Sequence, residues 1–212
     1  MTPSATARAT RLEFAATILL ALATVATAWS GYQASRWNGE QAKAFSRASA
    51  LRIESATADS LANAQTQVDV ATFTQWVDAY AREETELADF YWRRFRAEFK
   101  PAMTAWVATR PRQNPDAPLT PFAMPEYRVA ARDEAEELLA EAEAWSARAR
   151  TNVQRSTNYV LGVVLFAAAL FFAGISTKLE APGVRRAVLA LGLVVFVGAA
   201  LWIATSPINV SI

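Results

Sequence analysis

Residues Tyr159–Ser176 read YVLGVVLFAAALFFAGIS, eighteen positions without one charged side chain. Coiled as an α-helix at about 1.5 Å per residue, the stretch is about 27 Å long, close to the roughly 30 Å hydrocarbon core of a bilayer. Two runs of similar character lie on either side of it. Phe14–Ser30 reads FAATILLALATVATAWS and Ala187–Thr205 reads AVLALGLVVFVGAALWIAT. Between the first run and Tyr159 the chain carries 16 Lys or Arg and 18 Asp or Glu, most of all its charge. Two solvents are implied, so the chain is expected to be an all-α membrane protein with three transmembrane helices. Two of these helices are expected to continue into an extracytoplasmic antiparallel helical stalk or bundle that holds a Pro-rich extended loop.

The boundaries follow from the charges. Residues 1–12 form a cytoplasmic N-terminus, 13–33 the first transmembrane helix and 34–157 the extracytoplasmic domain. Residues 158–177 form the second span, 178–186 a cytoplasmic loop, 187–205 the third span and 206–212 an extracytoplasmic tail. Orientation rests on Lys and Arg in short segments near the spans. Arg8 and Arg11 precede the first span, and Lys178, Arg185 and Arg186 stand against Glu180 in the short loop, whereas the tail has no charge. Both basic segments place themselves in the cytoplasm, and a middle domain of this length crosses regardless of its charge. Eighteen Arg against three Lys, with abundant Ala, point to a GC-rich bacterial genome and a plasma (inner) membrane. Arg8, Arg11 and the Ala26-Thr27-Ala28 stretch also fit a cleavable signal peptide. The apolar character continues through Trp29 and Tyr32, a pair suited to the membrane interface, and favours an uncleaved anchor.

Composition removes whole classes of chemistry. The chain has neither cysteine nor histidine, which excludes disulfides, thiol catalysis and Ser-His-Asp hydrolysis. A net charge of +1 offers no broad field for nucleic acid. The seven glycines form no phosphate-binding loop. No cofactor is expected. The spans are chemically quiet, with Glu13 only at an edge, whereas proton relays and ion-coupled transporters place charges at membrane depth. Thr17, Thr24, Thr27, Gly162, Gly174, Gly192 and Gly198 suit close helix packing.

Glu40 to Lys100 contains neither Gly nor Pro, so helix is expected throughout. Trp37, Ala44, Leu51 and Ala58, with Gln41, Ala48, Ser55 and Ala62 between them, give a small-residue heptad. Ala131, Ala135, Leu138, Ala142, Trp145 and Ala149 give a second. The two outer helices are expected to be about equal, roughly 30 residues or 45 Å each. Between them an aromatic helix starting near Asp69 carries Phe73, Trp76 and Tyr80, then Phe90, Tyr91, Trp92, Phe95, Phe99 and Trp106. Pro101 is expected to kink or end it. The loop 110–126, with five prolines, is expected to run extended.

The aromatic residues fill a core, or else the stretch FYWRRFRAEFK from Phe90 to Lys100 rests its interleaved cations on lipid headgroups or on a partner. The candidate contact residues are Tyr91, Trp92, Arg93, Arg94, Phe95, Arg96, Phe99 and Lys100, with Phe122, Met124 and Tyr127 from the loop. Carboxylates cluster at Glu83, Glu84, Glu86 and Asp89 and along Asp133 to Glu143. Ferritin-like metal sites want Glu-x-x-His, and with no histidine a solvated acidic face is the simpler reading.

The chain is similar to uncharacterised bacterial membrane proteins in which a first span runs into Trp-x-Gly-x-Gln, here Trp37, Gly39 and Gln41. The likeness continues through Phe90-Tyr91, Arg94-Phe95, Glu98-Phe99, Pro101-Ala102, Ala105-Trp106 and the segment Pro121-Phe122 to Tyr127. It implies the same three-span architecture with an extracytoplasmic helical domain, and no activity. The function expected is non-enzymatic. The extracytoplasmic domain mediates self-assembly or binds an envelope protein partner, in contact with the lipid bilayer and with no nucleic acid. An oligomeric small channel or transporter subunit, and a metal-dependent hydrolase built on the acidic clusters, are the alternatives.

Overall fold

The computed structural model describes residues 5–209, so residues 1–4 of the expected N-terminal segment and 210–212 of the expected tail lie outside the described residues. Five α-helices account for most of the described residues: α1 Ala5–Ala81, α2 Thr85–Arg94, α3 Lys100–Ala108, α4 Ala130–Ser176 and α5 Pro182–Ala204. A single 3-10 turn at Pro121–Ala123 interrupts the loop before α4. No strand occurs among the described residues. Helices α1, α4 and α5 are each long and apolar enough to cross a membrane.

The chain divides into two compact units, residues up to Ser46 together with Trp145 onward, and Arg47–Ala144. In the first, the apolar unit, the interior is built from small residues and a few large ones. Ala16, Leu19, Ala173 and Leu189 form one cluster, while Ala34, Trp37, Tyr159, Phe166, Ala199 and Ile203 form another. Gly192 lets α5 close on α4, because a Cβ there would stand 3.1 Å from the Cβ of Phe172 and 3.3 Å from the carbonyl of Ala169. Large apolar side chains also cover the outside, among them Phe14, Val25, Val164, Phe171, Val194 and Leu201. Such a surface suits a lipid solvent and would be an aggregation hazard in water.

The segment after α5 turns back onto this unit. The buried side chain of Gln33 donates from Nε2 to the Asn209 carbonyl at 3.3 Å and accepts the Asn209 N–H at 3.0 Å. Trp37 Nε1 and the Tyr159 hydroxyl both donate to the Pro207 carbonyl at 3.2 Å. Ser156 Oγ donates to the Ala34 carbonyl at 3.0 Å, which fixes the level of α4 against α1. Near the other end of the helices, Arg185 lies 3.4 Å from Glu13.

In the charged unit, the small-residue heptads are the buried stripes: Ala48, Leu51, Ser55, Ala58 and Ala62 on α1, and Ala131, Ala135 and Ala142 on α4. Ser55 Oγ donates to the Ala135 carbonyl at 2.8 Å, Arg132 pairs with Asp59 at 3.0 Å, and Arg47 stands 3.7 Å from Glu141. The small side chains let two backbones approach, and the polar pairs at the edges fix their register.

Several expectations for this unit are corrected. No separate helix starts at Asp69, since α1 runs unbroken to Ala81 and carries Phe73, Trp76 and Tyr80 itself. The outer segments are therefore unequal, 34–81 on α1 against 130–157 on α4. The helix then stops where neither Gly nor Pro marks a stop. Glu83 takes a left-handed conformation (φ 62°), the Glu84 N–H bonds back to the Ala79 carbonyl at 3.0 Å, and the Glu83 N–H to the Tyr80 carbonyl at 3.3 Å. These two bonds are the pair that closes a helix C-terminus on a glycine, here made by a glutamate. Glu83→Gly removes the left-handed strain at some cost in unfolded-chain entropy. It is expected to stabilise the protein by about 0.5–1 kcal/mol, read as a higher unfolding midpoint of the full chain in detergent; a lower midpoint contradicts this account.

Pro101 does not kink a helix. It sits in the first turn of α3, where the missing N–H has no intrahelical partner to lose. The loop 110–126 is not extended either. Arg110 (φ 53°) ends α3, the N–H groups of Gln113 and Asn114 return to the Arg110 carbonyl at 2.9 Å, and the Ala117 N–H returns to Asn114 at 3.2 Å. Prolines at 111, 115, 118 and 121 are spaced by turns, and a proline pre-sets the backbone angle that a turn needs.

Candidate contact site on the charged unit

The aromatic residues of α1, α2, α3 and the loop meet in one cluster. Trp76, Ala79, Ala88, Phe95, Phe99, Ala102, Met103 and Trp106 are buried together, with Phe73, Tyr91, Trp92, Phe122, Met124 and Tyr127 packed on them. Phe99 is fully enclosed. Its ring stacks on Phe122 at 5.2 Å between centroids and meets Phe95 and Tyr127 edge-on at 5.1 and 5.8 Å. Edge-to-face and offset arrangements of this kind are the favoured ones for aromatic quadrupoles. The indole N–H of Trp106 donates to the Pro118 carbonyl at 2.6 Å, tying the loop down.

One charged group lies inside. Asp69 falls on the same buried stripe of α1 as Leu51, Ser55, Ala62 and Trp76, and its side chain is 1% exposed. Arg96, in the turn between α2 and α3, meets it as a fork. Nε is 3.1 Å from Oδ1 and Nη2 is 2.9 Å from Oδ2. The remaining donor of Arg96, Nη1, reaches Glu98 at 2.7 Å and Gln65 Oε1 at 3.3 Å. The Tyr127 hydroxyl donates to Asp69 Oδ2 at 3.3 Å and lies 3.5 Å from Thr66 Oγ1. Paired charges are the form in which ions are tolerated in an interior, and this network joins α1, the α2–α3 turn and the loop before α4.

The fork also holds the Arg96 guanidinium protonated beyond its usual range, chiefly through its hydrogen bond to Asp69. Tyr127 is shifted upward, first by burial and then by the Asp69 carboxylate beside it. A raised value means that the fold favours the neutral phenol. Its contribution to stability is therefore complete below the ordinary tyrosine value of about 10 and is lost as pH rises through the raised one. Spectrophotometric titration of the full chain is expected to show late tyrosinate absorbance that Tyr127→Phe reduces. A Tyr127→Phe curve superimposable on the parent curve contradicts the assignment.

The expected contact residues therefore divide. Phe95 and Phe99 are core, Tyr91, Trp92, Arg96, Lys100, Phe122, Met124 and Tyr127 are half-buried, and Arg93 and Arg94 are exposed. The Arg94 guanidinium lies 3.6 Å from the centre of the Phe90 ring, and Lys100 Nζ donates to the Arg93 carbonyl at 3.2 Å. The basic-aromatic stretch is thus drawn inward through Phe95, Phe99 and Arg96, whereas Phe90, Arg93 and Arg94 stay exposed. Asp69, Phe73, Trp76 and Trp106 complete the cluster without having been among the expected contact residues. Asp69 had a signal, a carboxylate on the apolar face of an amphipathic helix. No protein-family profile, curated protein or solved structure matches the chain. Among the described residues, no group of three or more His, Cys, Asp or Glu is placed to hold a metal ion.

A second surface is the exposed side of α1. Ser49, Ile53, Ala56, Ser60, Ala64, Gln67, Ala71 and Gln75 are all exposed and none carries a charge, with exposed Leu61 and Val68 alongside. Their steps of four, four and three residues repeat every eleven, which keeps them in line along a helix. The charges of this stretch, Arg52, Glu54, Asp59 and the buried Asp69, lie off that line.

Proposed function

We propose that this chain is a non-enzymatic multi-pass membrane protein of the bacterial plasma membrane. Its charged helical unit lies on the extracytoplasmic side and mediates assembly with a second copy of itself or with an envelope protein. The observation that carries this reading is the uncharged, exposed line on α1 from Ser49 to Gln75. Copies anchored in one membrane share an orientation, so two such lines face each other in register, with Ile53, Leu61 and Val68 supplying apolar contact and Ala and Ser allowing close approach. The pairing of Arg47 with Glu141, Ser55 with Ala135 and Asp59 with Arg132 supports an antiparallel α1–α4 arrangement in the unit. The basic residues Arg8, Arg11, Lys178, Arg185 and Arg186 support a cytoplasmic N-terminus and short loop.

Because the chain has no cysteine, single cysteines report contacts cleanly. Ile53→Cys and Ala64→Cys are expected to form covalent dimers in native membranes under mild oxidation, and Glu54→Cys, on another face, is not. Crosslinks from the same two positions to a different protein support the envelope-partner form. A strictly monomeric chain with no crosslinked neighbour at either position overturns the proposal.

A further inference from the structure

Along α4 the charges separate by sign. Asp133 to Glu143 holds six carboxylates, and from Ala144 to Leu179 there is none. Within that carboxylate-free stretch stand Arg148, Arg150 and Arg155, just before the apolar run opens at Tyr159. At about 1.5 Å per residue, Arg155 lies roughly 6 Å, Arg150 roughly 13 Å and Arg148 roughly 16 Å along the axis from Tyr159. A headgroup layer adds about 5–7 Å on each side of the hydrocarbon core. Arg155 therefore stands at the level of the lipid phosphates, and Arg150 and Arg148 stand above it, about a Debye length from an anionic surface at 0.1 M salt.

Their surroundings are those of an anion site. Among the described residues, none of the three has a carboxylate within 4.0 Å, whereas nearby Glu40 pairs with Lys43 at 2.8 Å. The Arg155 guanidinium lies 4.5 Å from the centre of the Trp37 ring and that of Arg148 lies 4.6 Å from Trp145. A guanidinium laid on an indole keeps its N–H edge free for two parallel bonds to a phosphate. Trp29, Tyr32 and Trp202, all exposed, supply interfacial aromatics on α1 and α5 of the same unit. On α1 no acidic residue occurs between Glu13 and Glu40, and Arg36 lies near Ala34, the residue whose carbonyl Ser156 reaches.

We propose that Arg148, Arg150 and Arg155, with Trp37 and Trp145, form a docking band for the phosphate headgroups of anionic phospholipids in the leaflet that borders the Tyr159 end of the α4 span. The band takes the headgroup role that is one of the alternatives for Phe90–Lys100, where Phe95 and Phe99 are buried in the core. It is independent of any assembly through α1.

The test uses the full chain reconstituted in phosphatidylcholine vesicles with trace spin-labelled phosphatidylglycerol or phosphatidylcholine. The protein is expected to retain the anionic lipid severalfold over the zwitterionic one at low salt, less so at high salt. R148Q/R150Q/R155Q is expected to lose most of that preference, while R148K/R150K/R155K, with its charge intact, keeps a large part of it. Equal retention of the two lipids by the parent, or an unchanged preference in the glutamine variant, overturns the proposal. Displacement of the labelled lipid by excess glycerol phosphate in solution also overturns it, because the site then recognises a soluble phosphate.

Discussion

Arg96→Met is expected to destabilise the charged unit by about 3–5 kcal/mol, because it leaves a buried carboxylate without its cation. Asp69 is 1% exposed, its fork with Arg96 spans 2.9 to 3.3 Å, and only the Tyr127 hydroxyl remains to answer it. A protein relieves such a charge by protonating it or by opening to water, and opening here means parting the α2–α3 turn from α1. The loss is expected as a large fall in the unfolding midpoint of the full chain in detergent, followed by the near-ultraviolet dichroism of the aromatic cluster. The double variant D69L/R96M is the informative comparison. Removing both charges replaces the pair by apolar volume and is expected to bring stability within about 1–2 kcal/mol of the parent, leaving Gln65, Thr66 and the Tyr127 hydroxyl to rearrange. A double variant as unstable as R96M, or an R96M midpoint equal to the parent's, contradicts this account of the network.

The second large effect is Phe99→Ala, expected to cost about 3–5 kcal/mol. The ring is fully buried and touches Phe95 in the turn between α2 and α3 and Phe122 and Tyr127 in the loop before α4. The alanine leaves a cavity that the neighbouring rings fill only in part, since each is held elsewhere: Phe122 also stands edge-on to Phe73 at 5.6 Å and Tyr127 is bonded to Asp69. Phe99→Leu, closer in volume, is expected to lose about 1–1.5 kcal/mol. Phe90→Ala, 39% exposed, tests whether a ring of the same stretch outside the core matters; its change is expected within about 0.5 kcal/mol. Equal losses for Phe90→Ala and Phe99→Ala run against a core placed around Phe99.

The features legible in the sequence are those that depend on solvent and periodicity. Three charge-free runs announce three apolar helices because lipid and water sort side chains along whole helices, and the Ala-rich heptads announce close contacts because only small side chains allow them. The features that escape are set by tertiary context. A glutamate ends α1 because two backbone bonds at Glu83 and Glu84 outweigh the cost of a left-handed residue. Pro101 looks like a breaker in isolation and serves as a starter, since the break had already come at Phe95, where the backbone turns extended. The prolines of the loop shape turns because Trp106 anchors the carbonyl of Pro118. In the contact site, the alternation of Arg with aromatic residues is plain in the sequence. That Arg96 turns inward while Arg93 and Arg94 stay exposed follows from Asp69, 27 residues earlier.

The fastening of Pro207 and Asn209 onto α1 and α4 has a consequence for the order in which the molecule is made. Gln33 leaves the ribosome 176 residues before Asn209, an interval of about 9 to 35 s at ordinary rates of translation. Gln33 and Trp37 through nearly all of that interval, and Tyr159 over its last 48 residues before Pro207, have donors or acceptors whose final partners do not yet exist. These three groups complete their bonding only when Pro207 and Asn209 arrive. The apolar unit is therefore completed only after α5 has been made, and until Pro207 and Asn209 follow it water or lipid headgroups must stand in for a carbonyl still to be made.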